Sequence, residues 1–322
     1  MWDGQELNER CAVSFAEIPL SGRIRAIVRQ AWGVELGGDA RRLYGGEESA
    51  AYHVNDTSGA GSPRAVVVRV GPHWRTSEEA EWCHAVARCA ARGGLAEAVV
   101  PLRTPEGRTV VRAEGRPVSL WPYVEGGWAG ETDARQAERA ARLLARLHRA
   151  LSGAVVPGRP VVADLTVGLR GEVAYAHPAL RDPELDAWLA AFSRGARREH
   201  PLHGDYYHGN LLVDAHGRLV AVLDWDEALV APPEVELAGA ALEFSGEFGD
   251  DWAACRRFVD AYLAEGGTVE ELDDTDMAQL MRHRLRREAA AYTSAVARGV
   301  SHDAEDIDYH ERRMAAFASL RP

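Results

Sequence analysis

Near residue 120 the chain changes texture, and this restricts its fold more than any other feature. Short strand-like runs punctuated by glycine precede that point, and long amphipathic helical patterns follow it. Ile24, Ile27, Val28 and Trp32 recur at helical spacing and stop at Gly33, which predicts a short helix over 20–33. Residues 41–44 and 50–54, joined by Gly45-Gly46-Glu47-Glu48-Ser49, predict an antiparallel pair, and the β-branched run from Ala65 to Val70 a third, mostly buried strand. Thr76-Ser77-Glu78-Glu79 supplies an N-cap and an acidic first turn for a helix over 76–93. Two further strand-like runs, 109–113 and 117–121, complete a small sheet-plus-helix unit. Beyond it, Ala137, Ala141, Leu144, Leu147 and Leu151 share one face of a helix opening at Thr132 or Asp133. A Pro/Gly-rich connection over 153–183 leads to helices expected at 183–198, 233–243, 251–265, 276–298 and 302–319. The pattern divides the chain into an N-terminal α/β part, 1–120, and a helical C-terminal part, 121–322.

A length of 322 residues suits two compact lobes, and 46% apolar residues suffice for a core. The chain contains no lysine, so its 37 basic residues are all arginine. Schiff-base chemistry, a Ser-x-x-Lys acylase and a lysine-dependent phosphate loop are thereby excluded. A net charge of −12 speaks against a nucleic-acid partner and is compatible with a cationic small molecule. Cys11, Cys83, Cys89 and Cys255 lack Cys-x-x-Cys spacing, which argues against a zinc knuckle or a disulfide framework. The acidic start, Met1-Trp2-Asp3, and the lack of any apolar stretch near ~18 residues lead us to expect a cytoplasmic protein without membrane contact.

The chemistry concentrates in residues 203–226. His203-Gly204-Asp205-Tyr206-Tyr207-His208-Gly209-Asn210 runs into a strand, a turn at 214–217, a second strand, and Asp224-Trp225-Asp226. A hairpin turning at 214–217 brings Asn210 and Asp224 together as two oxygen ligands. Such hard ligands suit Mg²⁺, which completes its shell with water and substrate phosphates. Asp205 falls beside the metal, where it could accept a proton from an attacking hydroxyl.

His-x-Asp-x-x-x-x-Asn followed fourteen residues later by Asp resembles the arrangement of protein-kinase-like phosphotransferases. With Gly204 and its neighbours, it is similar to the aminoglycoside phosphotransferase and homoserine/choline kinase-like family. Leu43–Val54, Arg64–Val70, Pro122-Tyr123-Val124-Glu125-Gly126 and Leu143–His148 resemble that family's first hairpin, third strand, inter-lobe linker and supporting helix, in the right order. The resemblance implies an α+β, two-lobed, protein-kinase-like fold: a small antiparallel-sheet N-lobe with one main helix and a larger, mainly helical C-lobe. It implies Asp205 as catalytic base, Asn210 and Asp224 as Mg²⁺ ligands, and ATP or GTP as co-substrate in the cleft. Trp121, Tyr123 and Val124 would meet the nucleotide base, and Ser49 its phosphates. Arg69 stands where the family usually has lysine, and Glu79, with Glu78 and Glu81 as alternatives, is expected to pair with it. An aminoglycoside or other cationic antibiotic leads as hydroxyl acceptor, with a small metabolite such as an amino alcohol or sugar next. A monomer or homodimer is expected.

Other readings explain less. Asp205, Asn210 and Asp224 could merely cap turns, but that leaves the rest of the constellation unexplained. His203 reads as structural support rather than chemistry. Tyr207 could contact phosphate or pack, and Asp226 could join the metal site or cap the next segment. His200, His203, Asp205 and His208 fit no zinc-ligand pattern, and no Gly-x-Ser-x-Gly elbow occurs. The rival from another class is a catalytically weak nucleotide-binding regulatory protein, which Arg69 and the acidic Glu47-Glu48 loop motivate.

Overall fold

The structure is a computed structural model and describes residues 18–43, 49–59, 64–130, 133–158, 177–195, 197–297 and 302–321. The Glu47-Glu48 loop, Cys11 and most of the 153–183 connection lie outside them. Helix α1 (Gly22–Trp32) opens on Ser21, whose hydroxyl accepts from the Ile24 N–H, and stops at Gly33, where φ is +70°. It packs on an antiparallel five-stranded sheet ordered β1 (Leu36–Leu43), β2 (Ala50–Asp56), β3 (Arg64–Val70), β5 (Arg116–Pro122), β4 (Val111–Ala113). Alternation along β3 decides what each face does. Val66, Val68 and Val70 are buried with Ile24, Val28, Val118 and Leu120, whereas Val67 and Arg69 face the other way, toward the helical part. Helix α2 (Ser77–Arg92) begins with a capping box formed by Thr76 and Glu79.

In the helical part, α3 (Ala134–Leu151) is capped by Asp133 and buries Leu143, Leu144, Leu147, His148 and Leu151 at its centre. Around it lie α4 (Pro183–Arg194), α5 (Pro233–Glu243), α6 (Trp252–Ala264), α7 (Asp274–Ala297) and α8 (Ala304–Ser319). Each begins and ends within a few residues of its expected bounds. Two small strand sets frame the motif; the hairpin turning at 214–217 is the expected one, whereas the other three strands have no counterpart in the expectation. β7 (His200–Leu202) pairs with β10 (Leu229–Ala231), and β6 (Gly127–Trp128) pairs with β8 (Leu211–Val213), which pairs with β9 (Leu219–Val222). The segment 203–210 and the segment 223–228 are therefore clamped at both ends. None of the described helices is long and apolar enough to cross a membrane.

Candidate functional site

The hairpin does what its spacing requires. Leu211 pairs with Val222, and the Leu223 N–H donates to the Asn210 carbonyl at 2.8 Å, so Asn210 and Asp224 flank the same end of the ladder. His203 ties the two loops together from beneath. Its Nδ1 accepts from the Asp205 N–H at 3.3 Å, and its Nε2 donates to the Leu223 carbonyl at 2.7 Å, a pattern that fits the neutral Nε2–H tautomer. Fully buried, it matches the structural reading. Gly204 has φ +90°, and a Cβ there would run into the Glu227 carbonyl, so a side chain at this position is excluded by the approach of the second loop.

Asp205 is held by both oxygens. Asn210 Nδ2 donates to Asp205 Oδ2 at 3.1 Å and to its carbonyl at 2.8 Å, while Arg284 Nη2 lies 2.8 Å from Oδ1. With Nδ2 so engaged, Oδ1 is the Asn210 atom left to face a cation. Asp224 adopts φ +52°, a left-handed conformation uncommon for a side-chain-bearing residue and characteristic of functional positions. Both of its oxygens meet Arg69 Nη2, at 2.8 and 2.9 Å, and Asp226 meets the same nitrogen at 2.9 Å. Burial pushes the Asp224 carboxyl up, and the Arg69 guanidinium overrides it, holding the group below the usual carboxylate range. Asp226 goes the other way, raised by burial and by the neighbouring Asp224 charge. Burial would weaken the charge on Arg69, but the two aspartates raise its pKa instead.

Glu79 is not brought to Arg69. Its carboxylate accepts from the Thr76 N–H at 2.9 Å and closes the α2 capping box, while Glu81 accepts from the Thr109 and Val110 N–H groups at 2.7 and 3.0 Å. Cys83 and His84, one turn along α2, lie within electrostatic reach of Arg69, and burial and Asp226 push the Cys83 thiol up to about 12. The acids on Arg69 thus come from 224–226 rather than from α2. Ser49 is buried at the start of β2, and its carbonyl accepts from Arg42 at 3.1 Å. Trp121 is buried opposite Val67 with its indole N–H on Ser119, and the Tyr123 N–H donates to the Ala65 carbonyl. The Val124 N–H makes no hydrogen bond among the described residues and is an available donor.

Several contributors escaped the sequence reading. Glu236, on the apolar α5, accepts from the Gly204 N–H, from the His203 N–H at 3.3 Å and from His148 at 2.8 Å, so it fixes the loop that carries Asp205. Burial pushes its carboxyl up, and the hydrogen bond from His148 brings it below the ordinary value. The available signal was a glutamate set between Val235 and Leu237 on a mostly apolar helix. Arg75 donates to the Asp226 carbonyl at 2.8 Å and lies 3.6 Å from Glu227. Arg284 is braced by Glu243 at 3.4 Å and by Glu288, and both acids also meet Arg313. Tyr207 sits close to Asp205 and Asp224, its phenol kept neutral by burial and by their charges.

The oxygen donors fit a hard divalent cation. Asn210 and Asp224 would supply two oxygens to such an ion, the rest of its shell coming from water and phosphates; among the described residues no group of three or more His, Cys, Asp or Glu is arranged to hold a metal. A family model described as "Phosphotransferase enzyme family" matches residues 39–273, from β1 to the end of the loop before α7. The chain belongs to the phosphotransferase enzyme family. Its fold is that family's kinase-like fold, with an antiparallel sheet first and a helical part after it. Among solved structures it is similar to spectinomycin phosphotransferase in complex with ADP and spectinomycin (14% identity, TM-score 0.62), covering 94% of this chain and 98% of that one. It is also similar to a microcompartment-associated aminopropanol kinase (18%, TM-score 0.67, 92% and 94% covered). An amicoumacin kinase in complex with AMP-PNP and Ca²⁺ gives 12% identity and a TM-score of 0.67, with 98% and 93% covered. A search of the curated proteins returns no match.

Proposed function

We propose that this phosphotransferase moves the γ-phosphoryl group of ATP or GTP to a hydroxyl of a small molecule. The observation that carries the reading is the convergence of Asp205, Asn210 and Asp224 between two clamped loops, with Arg69 reaching them from the sheet. Asp205 would orient the acceptor hydroxyl and take its proton as the oxygen bonds to the γ-phosphorus and the bond to the nucleoside diphosphate breaks. Mg²⁺ on Asn210 Oδ1 and Asp224 would neutralise the phosphate charge. Arg69, released in part from Asp224, would hold the α/β-phosphate end, and the Val124 N–H offers the nucleotide base a donor. Aminoglycosides and other cationic antibiotics remain the leading acceptors, supported by the net charge and by the antibiotics bound to similar folds. Amino alcohols follow, given the aminopropanol kinase.

The test is nucleoside diphosphate release across a panel of antibiotics, amino alcohols and sugars. Asp205→Asn is expected to lower kcat at least ~100-fold while nucleotide affinity changes less than about twofold. Undiminished turnover in that variant would refute the base assignment. A regulatory nucleotide-binding role draws support from one observation, the arginines seated on both Asp205 and Asp224. Acceptor-dependent turnover above the rate of hydrolysis decides against it.

A further inference from the structure

Helix α7 presents Arg284, Arg287 and Glu288 within about one turn of one another, beside the loop that carries Asp205. Arg284 and Glu288 are engaged, as described above. Arg287 is different: among the described residues its guanidinium makes no hydrogen bond and no ion pair. It is not a stray surface arginine. With Gly204, His283 and Arg284 it lines a water-sized pocket of about 30 Å³ against the catalytic loop. Surrounding protein and the neighbouring Arg284 lower its pKa, while Glu227, Glu288 and Asp205 act in the opposite sense. The residue nevertheless stays open to solvent.

Each acid within electrostatic reach already has another cation. Glu227 has Arg75 at 3.6 Å, Glu288 has Arg284 and Arg313, and Asp205 has Arg284 at 2.8 Å. The loop 203–210 adds no arginine of its own; His203 is consumed in bridging the two loops, and His208 lies on Glu247 at 3.0 Å. Yet phosphoryl transfer spreads negative charge over three equatorial oxygens next to the base, and such charge calls for a fixed cation beside it. A guanidinium presents a fork of donors that matches an oxyanion, and it remains charged when crowded.

We propose that Arg287 binds an oxyanion on the acceptor side of Asp205, supplied either by the phosphoryl group in transfer or by a carboxylate or phosphate carried on the acceptor. This rests on the phosphotransfer reading above. It also separates local from global charge: the chain is acidic as a whole, but Arg287 adds, beside the loop of Asp205, a cation with no carboxylate paired to it among the described residues.

Arg287→Gln is compared with wild type and with Arg194→Gln, an exposed α4 position that controls for the loss of one charge. Affinities are measured for Mg²⁺-ADP and Mg²⁺-AMP-PNP, and thermal midpoints with inorganic phosphate alone and with glycerate or neutral glycerol added to the Mg²⁺-ADP complex. If the phosphoryl group is the source, Arg287→Gln weakens AMP-PNP at least ~10-fold and leaves ADP within about twofold. If the acceptor is the source, both nucleotides are unaffected, and glycerate, but not glycerol, raises the midpoint of wild type and Arg194→Gln but not of Arg287→Gln. Behaviour of Arg287→Gln matching Arg194→Gln with every probe overturns the proposal. Should wild type fail to bind any nucleotide, the phosphotransfer reading falls by itself. Inorganic phosphate then decides on Arg287: a midpoint rise that Arg287→Gln abolishes supports the oxyanion site, and no such difference overturns it.

Discussion

Two arginine–carboxylate clusters flank the candidate site, and they are built on different plans. On the sheet side one guanidinium, Arg69, is shared by two acids, Asp224 and Asp226, with Arg75 and Glu227 behind. On the helical side two guanidiniums, Arg284 and Arg313, interlock with two acids, Glu243 and Glu288, and Arg284 reaches out to Asp205. In the first cluster two carboxylates share one guanidinium, so on the proposed reading an arriving metal displaces Arg69 from Asp224. The second is closed, and it can only exchange one partner of Arg284 for another. On the proposed reading, nucleotide and metal chemistry belongs to the sheet side, while the helical side positions Asp205.

Removing the central arginine of each cluster should break the comparison most sharply. Arg69→Gln leaves two partly buried carboxylates without the cation they share, and we expect roughly 1–3 kcal/mol of lost stability together with at least ~10-fold weaker Mg²⁺-nucleotide binding. Arg284→Gln should be comparably destabilising, yet leave nucleotide binding within about twofold and alter acceptor kinetics instead. Equal losses of nucleotide affinity in the two variants, read by calorimetric titration, would dissolve the division of labour.

A smaller effect separates the clusters by pH. Burial, with the charge of Glu288, pushes Glu243 up to about 7 against the opposing pull of Arg284 and Arg313, whereas Asp224 is held low. The folded protein then retains a proton on Glu243 that the unfolded chain releases near 4.5. Stability from this group is fully present below pH ~4.5 and is lost as the pH rises through about 7. The stability of wild type relative to Glu243→Gln should accordingly fall by on the order of 1 kcal/mol across that window. Parallel pH profiles would show that Glu243 stays ionised within the cluster.

The smallest effect concerns Glu79. Glu79→Ala should cost roughly 0.5–1 kcal/mol through the α2 capping box and leave nucleotide affinity unchanged. A ~10-fold loss of nucleotide affinity would mean that Glu79 leaves the cap to reach Arg69 when the nucleotide binds.

The sheet side was far more legible in the sequence than the helical side, for a physical reason. Asn210 and Asp224 are joined by a short hairpin, so spacing alone places them together, and β-strand alternation turns Arg69 away from the face of Val68 and Val70. Arg284 is 79 residues from Asp205 and 41 from Glu243, and Arg313 is 70 from Glu243. Helical periodicity reveals which face of α5, α7 or α8 is apolar, but not which partner a charge on that face will meet. Glu79 shows the limit from the other side. The same Thr-Ser-Glu-Glu phrase that marks the helix start consumes the glutamate in capping, and local hydrogen bonding prevails over a distant cation.

The central claim is a metal-dependent nucleotide site built on Asp224, and the most direct measurement is the thermal midpoint of wild type and Asp224→Ala with millimolar Mg²⁺-ATP or Mg²⁺-GTP, with and without the metal. At 100 times Kd, binding adds about 2.7 kcal/mol, which raises the midpoint of a protein this size by a few degrees. We predict a rise that requires both the nucleotide and Mg²⁺ and that vanishes in Asp224→Ala. No rise with either nucleotide, or an equal rise in the variant, would contradict the site proposed here.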